Sequence, residues 1–342
     1  MKIYYLTAKD KPNWNRFVYQ ESNSTFYHLV EWKDIFEKSF SHQTFYLYTQ
    51  RDSTITGILP IVYLKSIIFG KILCSMPFVN FGGIVSLDVA SENLIISEAF
   101  KLQKRLNASF LELRHLKPSV QKLPSKQNKI SMTIDLPSSA DDIWKKFKGK
   151  HRTNIRKSLK AGFSLKRGRL SLLDDFYLLI SKGWQHLGTP IYAKSFFRNI
   201  LEILPKNTEI YVVYHNNHPV ATAFNGKFKK TVEGMWTFAL KEYSHLNVNY
   251  YLYWQMIKDA SNEGMQNFHL GRSTKATNAV QFKSKWLAFP HQLYWEYIMD
   301  QNRPLPEINP MNSKYRLPIN IWKNLPLTAT QILGPHISKF IP

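Results

Sequence analysis

EIYVVYHNNHPVATAFNGKFKKTVEGMWT at residues 209–237, followed by NYYLYWQMIKDASNE at 249–263 and NFHL at 267–270, is the stretch that decides the fold. Glu209 to Tyr214, Pro219 to Lys227 and Thr231 to Thr237 read as strands of a meander, the last two joined by a short basic turn. In the next segment Leu252, Met256 and Ala260 recur every four positions, which makes Asn249 to Glu263 a helix. A short strand at Asn267–Leu270, a helix at Thr277–Trp286 and a closing strand at Gln292–Ile298 complete the run. Upstream lie four helices: one capped by Asp141 or Ser139 through Lys148, then Thr153–Ala161 stopped by Gly162, Leu172–Leu187 and Ser195–Leu204. Helices, an antiparallel meander, a crossover helix and a final strand describe an α/β (α+β) sandwich more naturally than a doubly wound sheet.

The preceding residues give a comparable order. A strand at Lys2–Thr7, a helix at Tyr27–Phe40 and a hairpin of Phe45–Gln50 with Ile55–Leu64 lead to a helix at Ser91–Leu106 with Ser91 as its cap, and then to a strand at Phe110–Arg114. An internal structural duplication follows, with mixed central sheets flanked by helices. The expected division is 1–137, 138–300 and a tail, 301–342, whose prolines at 304, 306, 310, 318, 326, 335 and 342 argue for an extended wrap or surface-binding tail.

Composition narrows the partners. Across 342 residues, 46 Lys and Arg against 24 Asp and Glu leave a net charge of +22, which attracts polyanions. Nucleic acid including tRNA, an anionic membrane face and a phosphate-bearing substrate all remain open, beside the plain reading that lysines keep an aromatic-rich chain soluble. Cys74 is the single cysteine, so no intramolecular disulfide and no cysteine-built metal site is expected, and a reducing compartment fits. The N-terminus turns charged early, unlike a signal peptide. Ile55–Val89, the most apolar stretch, is broken by Lys65, Lys71, prolines and a glycine pair, short of the ~20 uninterrupted residues a spanning helix needs. A cytoplasmic protein is expected, soluble or attached at the inner membrane face, with no metal.

Four features could carry chemistry. Lys145–Arg169 holds eleven cations and no acid, and Arg152, Arg156 and Lys160 fall four apart on one helix face, with Lys157 beside them. This block is either an anion cradle or a solvated face. Gln185–Tyr192 ends a helix at a Gly188-Thr189-Pro190 turn, with His186 and Tyr192 at a possible rim or merely shaping the turn. Glu233-Gly234-Met235-Trp236 followed by Tyr243 to Asn249 places a strand end beside a helix N-terminus, a natural place for an acyl donor, although Asn247 and Asn249 could be ordinary caps. Arg272, Ser273, Thr274 and Lys275 then gather donors where a polar substrate would lie, and Lys283, flanked by Phe282 and Trp286, could face developing negative charge or snorkel over aromatic surface.

The order of Arg-Thr-Asn-Ile-Arg-Lys at 152–157, His-Leu-Gly-Thr-Pro at 186–190, Glu-Gly-Met-Trp at 233–236 and Leu-Gly-Arg-Ser-Thr at 270–274 resembles the FemAB-related, GNAT-like proteins linked to exopolysaccharide and cell-envelope systems. The resemblance spans about residues 30–300. Met76 to Gly83, with Asn80, is similar to the family's N-terminal glycine segment, and Phe282-Lys283 to the Phe-Lys pair of Fem aminoacyltransferases. It implies two tandem GNAT-like domains with substrate between them and transfer of an acyl or aminoacyl group to an amine. The implied co-substrate is acyl-CoA or aminoacyl-tRNA, and the implied acceptor an anionic or lipid-linked molecule. The sequence lacks the family's long helical-hairpin insertion and a clear Gln/Arg-x-x-Gly-x-Gly/Ala loop.

The mechanism this suggests is direct attack of an amine on a bound thioester or ester, with Lys283 steadying the oxyanion and Trp236, Tyr243 and Asn247 near the substrate. Glu233 or His245 is the expected proton acceptor. The alternatives are a non-catalytic binder of RNA or acidic polysaccharide, and a peripheral membrane protein that uses the basic tail. No stable protein partner is indicated.

Overall fold

Where apolar residues alternate or run in blocks the chain forms strands, and where they recur at three and four it forms helices. The computed structural model describes residues 1–66, 69–300, 303–306 and 316–341. In chain order the elements are β1 (Lys2–Tyr5), α1 (Lys11–Gln20), α2 (Glu31–Phe40), β2 (Gln43–Arg51), β3 (Thr54–Ser66), β4 (Gly70–Cys74), β5 (Val85–Ser86), α3 (Val89–Arg105), β6 (Phe110–His115), β7 (Ser125–Lys126) and β8 (Lys129–Asp135). Then come α4 (Ala140–Lys146), α5 (Gly149–Leu159), β9 (Phe163–Gly168), α6 (Leu173–Leu187), α7 (Lys194–Ile203), β10 (Thr208–His215), β11 (His218–Phe228) and β12 (Thr231–Ala239). The last are α8 (Val248–Asn262), β13 (Asn267–Thr274), α9 (Asn278–Ser284), β14 (Phe289–Gln292), β15 (Tyr294–Met299), α10 (Arg316–Asn324) and α11 (Leu327–Ser338).

Two mixed sheets result. The first runs β1-β2-β3-β4-β6-β15-β7 with β5 beside β3, and the second runs β14-β8-β13-β12-β11-β10-β9. Each belongs to its own compact unit. The first unit holds Met1–Ile130 and the return segment from Gln292; the second holds Ser131–His291 and the helices α10 and α11. The closing strand expected at Gln292–Ile298 exists as β15, but it pairs antiparallel with β6, Ile298 facing Leu111, inside the first sheet. Its inward Ile298 joins Leu47, Leu59, Ile61, Leu73, Leu111 and Leu113 under Ile95, Ala99 and Leu102 of α3. Burial at about 1.5–3 kcal/mol for each large aliphatic is what holds a late strand in an early sheet.

Several local expectations shift by a physical cause. The helix α3 begins earlier than Ser91, because the Asp88 carboxylate accepts the Ser91 N–H at 2.7 Å and so is the cap. Helix α1, unanticipated, has Pro12 in its first turn and buries Trp14, Phe17 and Val18 at three and four spacing. Beyond the expected helix stop at Gly162 the basic block continues on β9, an edge strand whose Arg167 pairs with Tyr211 of β10. In the tail, helices α10 and α11 replace the expected extended wrap: Pro318 sits in the first turn of α10, where its missing N–H has no helical partner to lose, and Pro326 stands just before α11. Pro335 lies inside α11, while Pro310 and Pro342 fall outside the described residues.

In the first unit, Gly83 is held against a buried imidazole. A Cβ at Gly83 would stand 1.7 Å from Cδ2 of His115, whose Nδ1 is fixed 2.7 Å from the Glu296 carboxylate. Gly83→Ala is expected to cost about 3 kcal/mol or more in urea unfolding, whereas Gly149→Ala, where nothing lies within 4 Å, is expected to be neutral or stabilising by up to ~1 kcal/mol. Equal stabilities of the two variants would contradict this packing.

Candidate active site

Each unit contains a pair of parallel strands that runs together briefly and then parts. In the second unit β12 and β13 share Thr231↔Asn267, Val232↔Phe268 and Glu233↔His269, after which the ladder ends although both strands continue. At the parting point Glu233 and His269, both buried, face each other with His269 Nδ1 donating to Glu233 Oε2 at 2.7 Å. The departure is built into the sequence. Met235 bulges between Gly234↔Asn225 and Trp236↔Phe224, and Gly234 lies so close to β13 that a Cβ there would stand 2.9 Å from the His269 carbonyl oxygen. On the other arm Gly271 takes φ +73°, which glycine adopts without penalty.

Lys283 of α9 holds that outer arm. It is 9% exposed, and its Nζ donates to the carbonyl oxygens of Gly271 at 3.1 Å and Arg272 at 3.2 Å and to Ser273 Oγ at 2.9 Å. An ammonium has three hydrogens, and all three are engaged. The side chain expected to face a developing oxyanion directs its ammonium at β13. Burial pushes its pKa down to about 8.

Beside it is an aromatic wall. Phe282 of α9 meets Tyr250 and Tyr253 of α8 at 6.1 and 5.2 Å between ring centroids, and Trp286 stacks on Tyr253 at 5.6 Å. His151 of α5 is wedged into this wall, 4.4 Å from Trp286, 4.7 Å from Phe147 and 5.1 Å from Tyr250. Burial first, and Lys285 second, lower its pKa to about 4, so the ring is neutral at pH 7. Neither ring nitrogen has a hydrogen-bond partner among the described residues. Reading the basic block as a run of cations hid this histidine, and His269 lay unremarked inside the expected strand Asn267–Leu270.

The fold thus gathers Glu233, Arg272, Ser273, Phe282 and Lys283 around the strand fork and its wall, and leaves other expected residues elsewhere. His245 is exposed, its Nδ1 bonded to the Glu242 carbonyl oxygen three residues back, and Tyr243 packs on His215. Asn247 lies at φ +60° and makes no side-chain cap; the left-handed backbone, which asparagine tolerates, explains it. Trp236 and Tyr192 belong to the aromatic core with Phe196 and Phe197. His186 is exposed at the end of α6, as are Thr274 and Lys275 past the fork. Asn80 is in the first unit, its Nδ2 donating to the Tyr27 hydroxyl at 2.9 Å. The cationic block divides: Arg167 is bound by Glu209, Glu263 and Asp259 and Arg156 lies over the Trp144 ring, while Lys150, Lys157 and Lys160 stay exposed and Arg152 is half-buried. Among the described residues no cluster of three or more His, Cys, Asp or Glu could hold a metal.

The first unit's fork is filled. Here β4 and β6 pair through Cys74↔Glu112, and the chain itself then enters the gap: Ser75 N–H donates to Glu112 O at 2.8 Å and Gly82 N–H to Arg114 O at 3.1 Å. The buried Arg114 guanidinium donates to Glu112 at 2.8 Å and to the Val79 carbonyl oxygen at 3.3 Å, tying residues 75–82 into place. Glu112 also accepts the Tyr297 hydroxyl at 2.9 Å.

A mixed sheet whose parallel pair parts beside a crossover helix is a GNAT-like arrangement. Residues 146–284, which contain the second fork and Lys283, match the family described as acetyltransferase (GNAT) domain. Among solved structures the chain is similar to FemX, at 13% identity and a TM-score of 0.65 over 86% of this chain and 97% of that one. It is similar to the C-terminal domain of a putative lysylphosphatidylglycerol synthetase from Agrobacterium fabrum, at 12% identity and TM-score 0.56 over 86% and 92% of the two chains. It is also similar to a tandem GNAT protein from the clavulanic acid biosynthesis pathway, at 9% identity and TM-score 0.53 over 89% and 99%. No curated protein matches the sequence significantly. The domain match identifies a GNAT domain at residues 146–284, and the structural likenesses show an α/β fold with two GNAT-like domains.

Lys283 provides a test of the site's electrostatics. Its folded pKa of about 8 lies below the ~10.4 of a free lysine, so between these values the unfolded chain holds a proton that the folded chain has released. Stability then rises with pH in that window. Wild type is expected to gain on Lys283→Met by an amount on the order of 3 kcal/mol from pH 8 to above pH 10; a pH-independent difference in denaturant midpoints would contradict it.

Proposed function

We propose that the protein is an N-acyltransferase whose second unit holds the activated donor in the β12/β13 fork. The carrying observation is the contrast between the two forks: in one the ladder stops at Glu233↔His269 and its outer arm is braced by Lys283, while the other is occupied by the chain's own residues 75–82. Strands that part expose main-chain N–H and C=O groups at fixed spacing, which suits an extended amide-bearing arm or acyl chain laid between them as a substitute strand. The GNAT domain match makes acyl-CoA the first donor to test, and aminoacyl-tRNA the second, given the likeness to FemX and to a lysylphosphatidylglycerol synthetase domain. Exposed Lys150, Lys157 and Lys160 suit the phosphates that either donor carries. The proposed acceptor is the amine of an amino sugar or a cell-envelope precursor, attacking the donor carbonyl directly while main-chain donors at the fork steady the oxyanion.

Lys283 acts here by keeping β13 in place. Incubation of the purified chain with acetyl-coenzyme A or charged tRNA and candidate amino sugars is expected to add one acyl mass to an acceptor. Lys283→Ala, shown to be folded by circular dichroism, is expected to lower kcat about tenfold or more, because misplacing reacting groups by about 1 Å costs up to 10²-fold. Transfer at the wild-type rate by Lys283→Ala would remove the assignment of this fork, and binding of polyanions with no turnover on any donor would replace the enzyme reading.

A further inference from the structure

Helices α10 and α11 close on the second unit with one apolar face and present another outward. In α10, Trp322 is 8% exposed and Ile319 half-buried, while on the opposite side Leu317 is 69% and Ile321 56% exposed, one turn apart. In α11, Gly334 is pressed on Ile191, and Ile332 and Leu333 are 67% and 47% exposed. Leu187, 67% exposed, ends α6 where α10 crosses it: a Cβ at the neighbouring Gly188 would meet Ile319 at 2.5 Å and Lys323 at 3.2 Å. Five large aliphatics on two consecutive helices and the end of a third are thus left to solvent.

The charge around them selects what covers them. The exposed Lys323 of α10 and, in the last turns of α6, the exposed Lys182 and His186 stand beside these side chains, and no Asp or Glu lies in α10 or α11. A second copy packed on this face would bring like charges together. Nucleic acid would answer the charge but uses aromatic platforms rather than Leu and Ile. An anionic lipid surface satisfies both, taking aliphatic side chains into its acyl boundary and lysines at its headgroups.

We infer that the α10–α11 face, with Leu187, is a membrane-docking surface that seats the protein peripherally on an anionic bilayer. The contact rests on amphipathic helices in the tail and on the end of α6, and the cations of α5 play no necessary part. No helix among the described residues is long and apolar enough to cross a membrane.

Flotation of the full chain with phosphatidylcholine vesicles, with and without phosphatidylglycerol, tests this. The wild type is expected to float with the anionic vesicles only and to be released by high salt. Leu317→Ser/Ile321→Ser and, separately, Ile332→Ser/Leu333→Ser are each expected to lower partitioning about tenfold or more, with melting temperatures unchanged because the altered side chains are exposed. The inference is overturned if the wild type does not float with anionic vesicles, if it floats equally with both, or if both variants float like the wild type. It is likewise overturned if sedimentation velocity shows a wild-type dimer that the variants convert to monomer, which would assign the face to a second copy.

Discussion

Parallel strands exchange hydrogen bonds only while they stay about 4.8 Å apart, and when they part, both edges are left with main-chain groups that need partners. That constraint governs each unit of this chain. In the second, the ladder stops at Glu233↔His269, and every nearby irregularity serves the parting: the bulge at Met235, the close approach of Gly234 and the left-handed backbone at Gly271. Lys283 spends its ammonium on the departing strand, where three charge-assisted hydrogen bonds offset the cost of burying it.

The first unit meets the same constraint in the opposite way. Residues 75–82 enter its fork and take up the main-chain groups of Glu112 and Arg114, and a buried Glu112–Arg114 pair with the Tyr297 hydroxyl fixes them there. Removing one partner of such a pair leaves a charge without compensation, typically at 3–5 kcal/mol, so the plug is firmly set. The two units thus treat their forks differently: in one the chain's own segment fills the gap, and in the other the strands part with Lys283 bracing the outer arm. The segment Met76–Gly83 is this plug, and the positive φ of Met76 and Phe78 is the backbone cost of folding it in.

Much of this was legible in the sequence, because the meander, the crossover helix α8 and helices α6 and α7 have strong periodicity and clear stops. The motifs at 233–236 and 270–274 and the Phe-Lys pair do fall at one fork. What periodicity cannot carry is long-range pairing: nothing local to residues 294–299 says that they join β6, and nothing in a run of cations says which are neutralised, as Arg167 is by Glu209 and Glu263. Side-chain direction was equally hidden. Lys283 beside Phe282 and Trp286 suggested a cation aimed at substrate, yet its stem carries it back to β13; His151, concealed among basic residues, turns inward to an aromatic wall. The tail was misjudged by counting prolines without their positions, since a proline in a first turn is compatible with a helix.

The most direct measurement is hydrogen exchange of the full chain with and without acetyl-coenzyme A, and with and without a non-hydrolysable aminoacyl-tRNA. An account in which the donor lies in the β12/β13 fork predicts that one of these slows exchange at residues 234–239 and 270–274 while residues 75–83 are unchanged. Protection at 75–83 instead, or at neither fork with either donor, would contradict it.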